Sequence, residues 1–95
     1  MADSYQVVYS HRIKVILKDL KRIAASEGRE PDFIQVLQEI DQLLRNEPDV
    51  FGEPLYSLVH VQVRHGIRGF VVVCWAVHDQ KKTVFLKDYR FLPGP

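Results

Sequence analysis

The spacing of apolar residues changes past the middle of this chain, and that change limits the folds open to it. From His11 to Arg45, apolar residues recur every three to four positions, as in amphipathic helices. From Val59 onward, they either alternate with polar residues or fill a continuous run, which is typical of strands. A helical segment followed by a strand segment predicts an α+β fold rather than alternating βαβ units.

The helical spacing falls into two blocks. The first predicts a helix from His11 to about Ser26, with Ser10 as its N-cap and Gly28 at its end. The second predicts a helix over residues 31–45, because the proline at its start is favoured in a first helical turn. The prolines and glycine between positions 48 and 54 then open a loop.

Four strands are predicted around these helices, with turns at 65–69 and 79–82. The strands are Tyr5–Tyr9, Val59–Arg64, Phe70–Val77 and Thr83–Phe91. The third is apolar throughout, which predicts a central strand covered on both sides. The predicted architecture is β-α-α-β-β-β in one domain spanning residues 1–95, with a helical hairpin packed on one face of a mainly antiparallel sheet.

The formal net charge of +1 hides an uneven distribution. Residues 11–29 carry six Lys or Arg against two Asp or Glu, residues 30–53 carry one against seven, and residues 54–95 carry six against two. Net charge therefore does not exclude a surface that faces nucleic acid. The basic stripe of the first helix is either a solvated face or a contact for phosphates or an acidic partner. It comprises Lys14, Lys18, Lys21 and Arg22.

Several chemistries lack the residues that they need. Cys74 is the single cysteine, so an internal disulfide is excluded, and we expect it to be inert core. The histidines have no ligand-spaced neighbours, and the segment 66–69 precedes no helix, so neither a metal nor a cofactor is predicted. The N-terminus lacks a signal-peptide pattern and no apolar run is long enough to span a membrane. We therefore expect a cytoplasmic protein with no membrane partner.

One face of the predicted sheet gathers basic and aromatic side chains. If the helices cover the valines of the second strand and Val84 and Leu86 of the last, the alternate residues face away. These residues are His60, Gln62, Arg64, Phe85, Lys87 and Tyr89. Such a surface suits RNA, because cations hold phosphates while aromatic rings stack on unpaired bases. A solvated sheet face or a protein interface can have the same composition, so both alternatives stay open.

The same region contains the groups that metal-independent RNA cleavage requires. A 2′-hydroxyl must lose its proton, the phosphate must be neutralised, and the leaving oxygen must gain a proton. Arg64 and Arg68 are the predicted phosphate stabilisers. The predicted proton-transfer groups are Lys87, Tyr89, His60 and His65.

Over nearly its whole length the chain resembles the RelE/ParE superfamily of bacterial type II toxins. The resemblance lies in the order of elements, the helix-to-loop passage 46–55, the run Val63–Val73 and the hairpin Val77–Phe85. It implies a toxin that an antitoxin neutralises. RelE-like members cut messenger RNA on the ribosome, whereas ParE-like members inhibit DNA gyrase.

The resemblance also implies roles by position. Arg64 or Arg68 resembles the central-strand arginine, Arg90 the arginine near the end of the last strand, and Tyr89 the tyrosine that orients or activates the nucleophile. With Lys87, these residues form the predicted catalytic set. The predicted RNA contacts are His60, Gln62 and Phe85.

The sequence therefore predicts a toxin component that acts as a metal-independent endoribonuclease on ribosome-bound messenger RNA. The alternative is a ParE-like or catalytically inactive protein-binding module, either a gyrase inhibitor or a small adaptor. For the ribonuclease and the gyrase inhibitor the resemblance implies an antitoxin as partner, whereas the small adaptor is unrelated to toxins.

Overall fold

Two helices pack on one face of a five-stranded sheet in the computed structural model, which describes residues 4–93. In chain order the elements are β1 (Gln6–Val8), α1 (His11–Ser26), α2 (Glu30–Asn46), β2 (Glu53–Ser57), β3 (Val61–Arg68), β4 (Val71–His78) and β5 (Thr83–Phe91). The strands lie in the order β1-β5-β4-β3-β2; β1 is parallel to β5 and the other pairs are antiparallel. This confirms the predicted α+β class and the helical hairpin on a mainly antiparallel sheet.

The helix ends follow from local chemistry. The Ser10 hydroxyl accepts a hydrogen bond from the Ile13 amide at 3.2 Å, which caps α1 as predicted. Gly28, just past the end of α1, has a φ of 72°, a conformation that costs glycine little. Neither helix of the described residues is long and apolar enough to cross a membrane. The prediction that no signal peptide is present rests partly on Met1 to Asp3, which lie outside the described residues.

Two strand predictions need correction. Residues 53–57, predicted as loop, form β2 at one edge of the sheet. Pro54 has no backbone N–H to donate, and an edge strand tolerates this because it pairs on one side only. The turn predicted at 65–69 is wrong, because β3 continues to Arg68 and pairs there with Val71. The hairpin loop is only Gly69 and Phe70; Gly69 has a φ of 58°, as two-residue hairpin loops favour at this position.

The residues of strand β4 alternate between the two faces of the sheet. Its residues on the helix-side face are Val71, Val73, Trp75 and Val77, all fully buried against the helices or the loop that follows α2. Its residues on the opposite face, called the open face below, are Val72, Cys74, Ala76 and His78. β4 is central as predicted, but the helices cover it on one side only.

A β-bulge at Lys87 interrupts the pairing of β5 with β4. Leu86 pairs with Trp75 and Asp88 pairs with the adjacent Cys74, so Lys87 has no partner residue on β4. Such an extra residue shifts the alternation of side chains by one position. Odd-numbered and even-numbered residues of β5 therefore exchange faces of the sheet at the bulge.

The bulge overturns one predicted orientation. Tyr89, predicted on the open face, points to the helix-side core and is 2% exposed, whereas Arg90 takes the open face. Arg12 of α1 donates a hydrogen bond from Nη1 to the Lys87 carbonyl oxygen at 2.6 Å. The first helix thus holds the bulge, and with it the phase of the strand end.

The phase predicted for β3 is reversed. Gln62 and Arg64 lie on the helix-side face, while Val61 and Val63 lie on the open face. The cause is the α2–β2 loop, residues 47–52, which covers this end of the helix-side face in place of a helix. Phe51 of this loop stacks on Trp75, with ring centroids 5.2 Å apart and planes 7° apart.

The α2–β2 loop also explains two glycines. A Cβ on Gly66 would lie 2.8 Å from the Phe51 ring, so the aromatic stack needs a residue without a side chain beneath it. A Cβ on Gly52, whose φ is 71°, would lie 2.1 Å from the His65 carbonyl oxygen. The indole Nε1 of Trp75 donates to the Pro48 carbonyl oxygen at 3.0 Å and fixes the start of the loop.

A polar cluster connects the start of α1 to α2. The Tyr9 hydroxyl donates to Asp41 Oδ1 and Arg45 Nε donates to Asp41 Oδ2, both at 2.7 Å. Burial acts to raise the pKa of Asp41, but the hydrogen bonds from Arg45 and Tyr9 and the charge of Arg45 outweigh it, so the pKa is lowered. The ionised carboxylate therefore stabilises the fold.

Acid should weaken this cluster. Because the pKa of Asp41 is lower in the folded chain, its stabilisation is fully present above about pH 4 and is lost as pH falls through the folded-state pKa. We expect Asp41→Asn to reduce the free energy of unfolding at pH 7 by roughly 1–2 kcal/mol and to flatten its decline in acid. Denaturant titrations across this pH range measure both effects. The exposed turn residue Asp79 gives a control, Asp79→Asn, and equal acid profiles for the two variants would contradict the assignment.

Candidate functional site

The residues predicted to be catalytic do not converge on one surface. Arg64, Arg68 and Tyr89 lie on the helix-side face, whereas Lys87 and Arg90 lie on the open face. The sheet itself separates these two groups.

Arg64 is a structural clamp. Its side chain is almost completely enclosed, at 6% exposure, and its Nε and Nη2 both donate to the Phe51 carbonyl oxygen at 3.1 Å. Nη2 also donates to the Gly52 carbonyl oxygen at 3.0 Å, and Nη1 donates to Gln62 Oε1 at 2.8 Å. All these acceptors are neutral oxygens of the chain. The guanidinium therefore holds the α2–β2 loop, and Gln62, predicted to contact RNA, helps to hold the guanidinium.

Arg68 is directed at the second helix. Its Nε donates to Glu39 Oε1 at 2.9 Å, and this hydrogen bond, followed by one from Gln35, lowers the pKa of Glu39. Both partners are partly exposed, so the pair contributes little to stability. It does hold the Arg68 side chain on the helix side of the sheet.

Tyr89 is buried in the core beside Tyr9. The Tyr9 hydroxyl donates a hydrogen bond to Asp41. Burial, followed by the nearby Tyr9 and Asp41 groups, raises the pKa of Tyr89 far above its ordinary value. In this position the phenol stays protonated near neutral pH, so Tyr89 does not have the properties of a general base.

The open face carries the remaining cations and several aromatic rings. Lys87, Arg90 and Phe85 are exposed there, as the sequence predicted for Lys87 and Phe85. His65 lies on the open face of β3 opposite Cys74. His60 lies outside β3, in the exposed β2–β3 connection, with its ring centroid 6.4 Å from that of His78.

An apolar row crosses the open face from edge to edge. Cross-strand partners place side chains of all five strands side by side in this row. Its members are Tyr56, Val63, Ala76, Phe85 and Val8. Tyr56 is 52% exposed and Phe85 39% exposed, whereas Val63 and Ala76, which lie between them, are buried. Ile67 and Val72 form a second apolar pair on the same face, on the far side of the pair His65 and Cys74.

A charged row runs beside the apolar one. Glu53, His65, Cys74 and Asp88 are successive cross-strand partners, with Lys87 at the bulge next to Asp88. Burial, followed by the charge of Asp88, raises the pKa of Cys74, while the charge of Lys87 opposes this shift. The thiol is thus on the open face, contrary to the expectation of inert core, yet protonated at neutral pH.

Sequence reasoning missed most of the apolar row. Tyr56 lies in the segment predicted as loop, and Val63 was assigned to the helix side. The unbroken apolar run of β4 was the available signal, because it predicted apolar contacts on both faces of the sheet.

Neither relatives nor a metal centre define the chemistry of this face. Comparisons of the chain with protein-family models, curated proteins and solved structures found no match. Within residues 4–93, no group of three or more His, Cys, Asp or Glu side chains is arranged to hold a metal ion.

The structural role of Arg64 can be separated from a role in binding. The substitution Arg64→Met leaves the carbonyl oxygens of Phe51 and Gly52 without their hydrogen-bond donors. We therefore expect the free energy of unfolding to fall by roughly 1.5–3 kcal/mol. Arg90→Met, at an exposed position, should stay within about 0.5 kcal/mol of the unmodified chain. Equilibrium denaturation measures both, and equal stabilities for the two variants would show that Arg64 is not a clamp.

Proposed function

We propose that this chain is a RelE/ParE-like toxin component of a bacterial toxin–antitoxin module that acts by binding a protein rather than by cleaving RNA. The observation that supports a binding role is the separation of the predicted catalytic residues by the sheet. The sequence resemblance supports the family, and it implies a cytoplasmic protein that an antitoxin neutralises.

RNA cleavage needs a base and an acid on opposite sides of a stabilised phosphate. Arg64 has its donors engaged by the chain's own oxygens, and Tyr89 is buried with a raised pKa. Lys87 and Arg90 remain on the open face beside hydrophobic side chains. These two cations are free to hold phosphates, but the enclosure of Arg64 argues against the phosphate role predicted for it, and the burial of Tyr89 argues against its predicted role in proton transfer.

The open face has the composition of a protein interface. Exposed aromatic and aliphatic side chains lie on both sides of a charged row, and aromatic residues are enriched in protein–protein contacts. An exposed apolar patch of this kind is otherwise uncommon on a small protein. These features favour the ParE-like alternative, in which the target is a protein such as DNA gyrase.

Expression in a bacterial host tests the toxin role. Induction of the unmodified chain should arrest growth without producing new transcript ends, and the double variant Lys87→Met/Arg90→Met should remain toxic. Normal growth with the soluble chain present would overturn the toxin role. Transcript cleavage that disappears in the double variant would overturn the protein-binding mode and restore the ribonuclease.

A point variant tests the surface. Ile67→Glu introduces a charge on the open face, and Val15→Glu introduces one on the outer side of α1, where the starting exposure is 53% in both cases. We expect Ile67→Glu to abolish growth arrest and Val15→Glu to retain it, at equal soluble levels. Toxicity of both variants would contradict a target contact through the open face.

A further inference from the structure

Strand β2 is a free edge of the sheet. Within residues 4–93 it pairs with β3 on one side, and no other part of the chain forms backbone hydrogen bonds with residues 53–57. A strand in this position presents unpaired N–H and C=O groups to which a further strand can add. The opposite edge, β1, is only three residues long, so β2 is the longer of the two edges.

The main chain of Ser57 points away from the sheet. The Leu58 amide donates to the Val61 carbonyl oxygen at 2.7 Å, across the turn that joins β2 to β3. Hydrogen-bonded and non-hydrogen-bonded pairs alternate along antiparallel strands, so Ser57 and Gln62, the next pair, are not bonded to each other through the main chain. The N–H and C=O of Ser57 therefore face outward, where an added strand can bond to both.

The start of β2 is protected from such pairing, whereas its end is not. Pro54 has no N–H, and the register against β3 shifts between Pro54 and Tyr56. Proline, bulges and lysines are the usual means of protecting a sheet edge. Residues 55–59 contain neither proline nor lysine, so the edge around Ser57 remains open.

Exposed apolar side chains concentrate at this edge. Five of the ten large apolar side chains exposed in the described part of the chain lie between positions 50 and 59. They are Val50, Leu55, Tyr56, Leu58 and Val59. Tyr56 lies opposite Val63 and Leu58 is bonded to Val61, so both belong to the open face and flank Ser57. A strand added at Ser57 would pack alternate side chains against this pair.

The same segment is acidic. Residues 46–59 contain Glu47, Asp49 and Glu53 and neither lysine nor arginine. All three acids are exposed, and none takes part in an ion pair within residues 4–93. Cationic side chains would therefore be attracted to this edge, whereas a second copy would bring the same acids to it and be repelled.

We propose that an extended cationic segment of a partner protein adds to the sheet at β2 and pairs with the main chain of Ser57. One set of its alternating side chains is apolar and packs beside Tyr56 and Leu58 on the open face. The other set carries Lys or Arg on the helix side, where the α2–β2 loop holds Glu47 and Asp49. Strand addition of this kind takes affinity from main-chain bonds and specificity from alternate side chains. The proposal goes beyond the proposed toxin function and does not depend on it.

A labelled peptide of about ten residues, in which valine and lysine alternate, is the probe. Fluorescence anisotropy at low ionic strength should show that it binds the unmodified chain. A peptide with glutamate in place of lysine should bind at least roughly ten-fold more weakly. Equal affinities for the two peptides, or no binding of the lysine peptide, would overturn the proposal.

Variants of Ser57 test the main-chain contact. Ser57→Pro removes the outward N–H without removing a bond to β3, whereas Ser57→Ala keeps it. We expect Ser57→Pro to weaken binding of the lysine peptide at least about five-fold and Ser57→Ala to stay within about two-fold. Should Ser57→Pro fail to fold, hydrogen exchange of the unmodified chain decides, because the peptide should slow exchange at the Ser57 amide. Equal affinities of two folded variants, or unchanged exchange at Ser57, contradict strand addition.

Charge variants locate the acidic contact. Glu53→Lys and Asp32→Lys change the net charge equally, but Asp32 lies at the exposed start of α2. Only Glu53→Lys should weaken binding several-fold, and Ile67→Glu should bind the peptide like the unmodified chain. Equal losses for the two lysine variants, or release of the peptide by Ile67→Glu, would place binding elsewhere and refute the proposal. None of these measurements uses growth arrest, so the proposed function is tested separately.

Discussion

The buried guanidinium of Arg64 fixes which side chains of β3 lie on each face of the sheet. Arg64 lies on the helix-side face of β3, at an end of the sheet where a loop rather than a helix forms the cover. A buried cation needs hydrogen-bond acceptors, and the carbonyl oxygens of Phe51 and Gly52 supply them. With Trp75 holding the Pro48 carbonyl oxygen, this clamp brings the Phe51 ring onto Gly66 and fixes the orientation of β3.

A second local feature fixes the other side of the sheet. The bulge at Lys87, held by Arg12 from α1, turns Tyr89 into the core and Arg90 outward. The clamp and the bulge act on strands that flank β4 on opposite sides. Together they take three of the five predicted catalytic residues off the open face, and they leave apolar side chains there on either side of a charged row.

The proposed function depends on the open face. Its exposed apolar side chains Tyr56, Ile67 and Phe85 lie on β2, β3 and β5, so a protein bound there would contact most of the width of the sheet. The basic stripe on α1 lies on the other side of the molecule and is exposed independently of this face.

The sequence by itself determined the element order, the α1 bounds, the fold class and the central position of β4, because these follow from periodicity and capping within short segments. Which face each side chain occupies was decided only by the tertiary structure. In β3, either of the two sets of alternating residues can be buried against the helix side. The set that includes Arg64 lies there because its guanidinium bonds to the carbonyl oxygen of Phe51, thirteen residues away in the chain. In β5 one unpaired residue reversed the phase, and its carbonyl oxygen accepts a hydrogen bond from Arg12, seventy-five residues away. Side-chain alternation fixes which residues share a face, but long-range contacts select the face that meets the core.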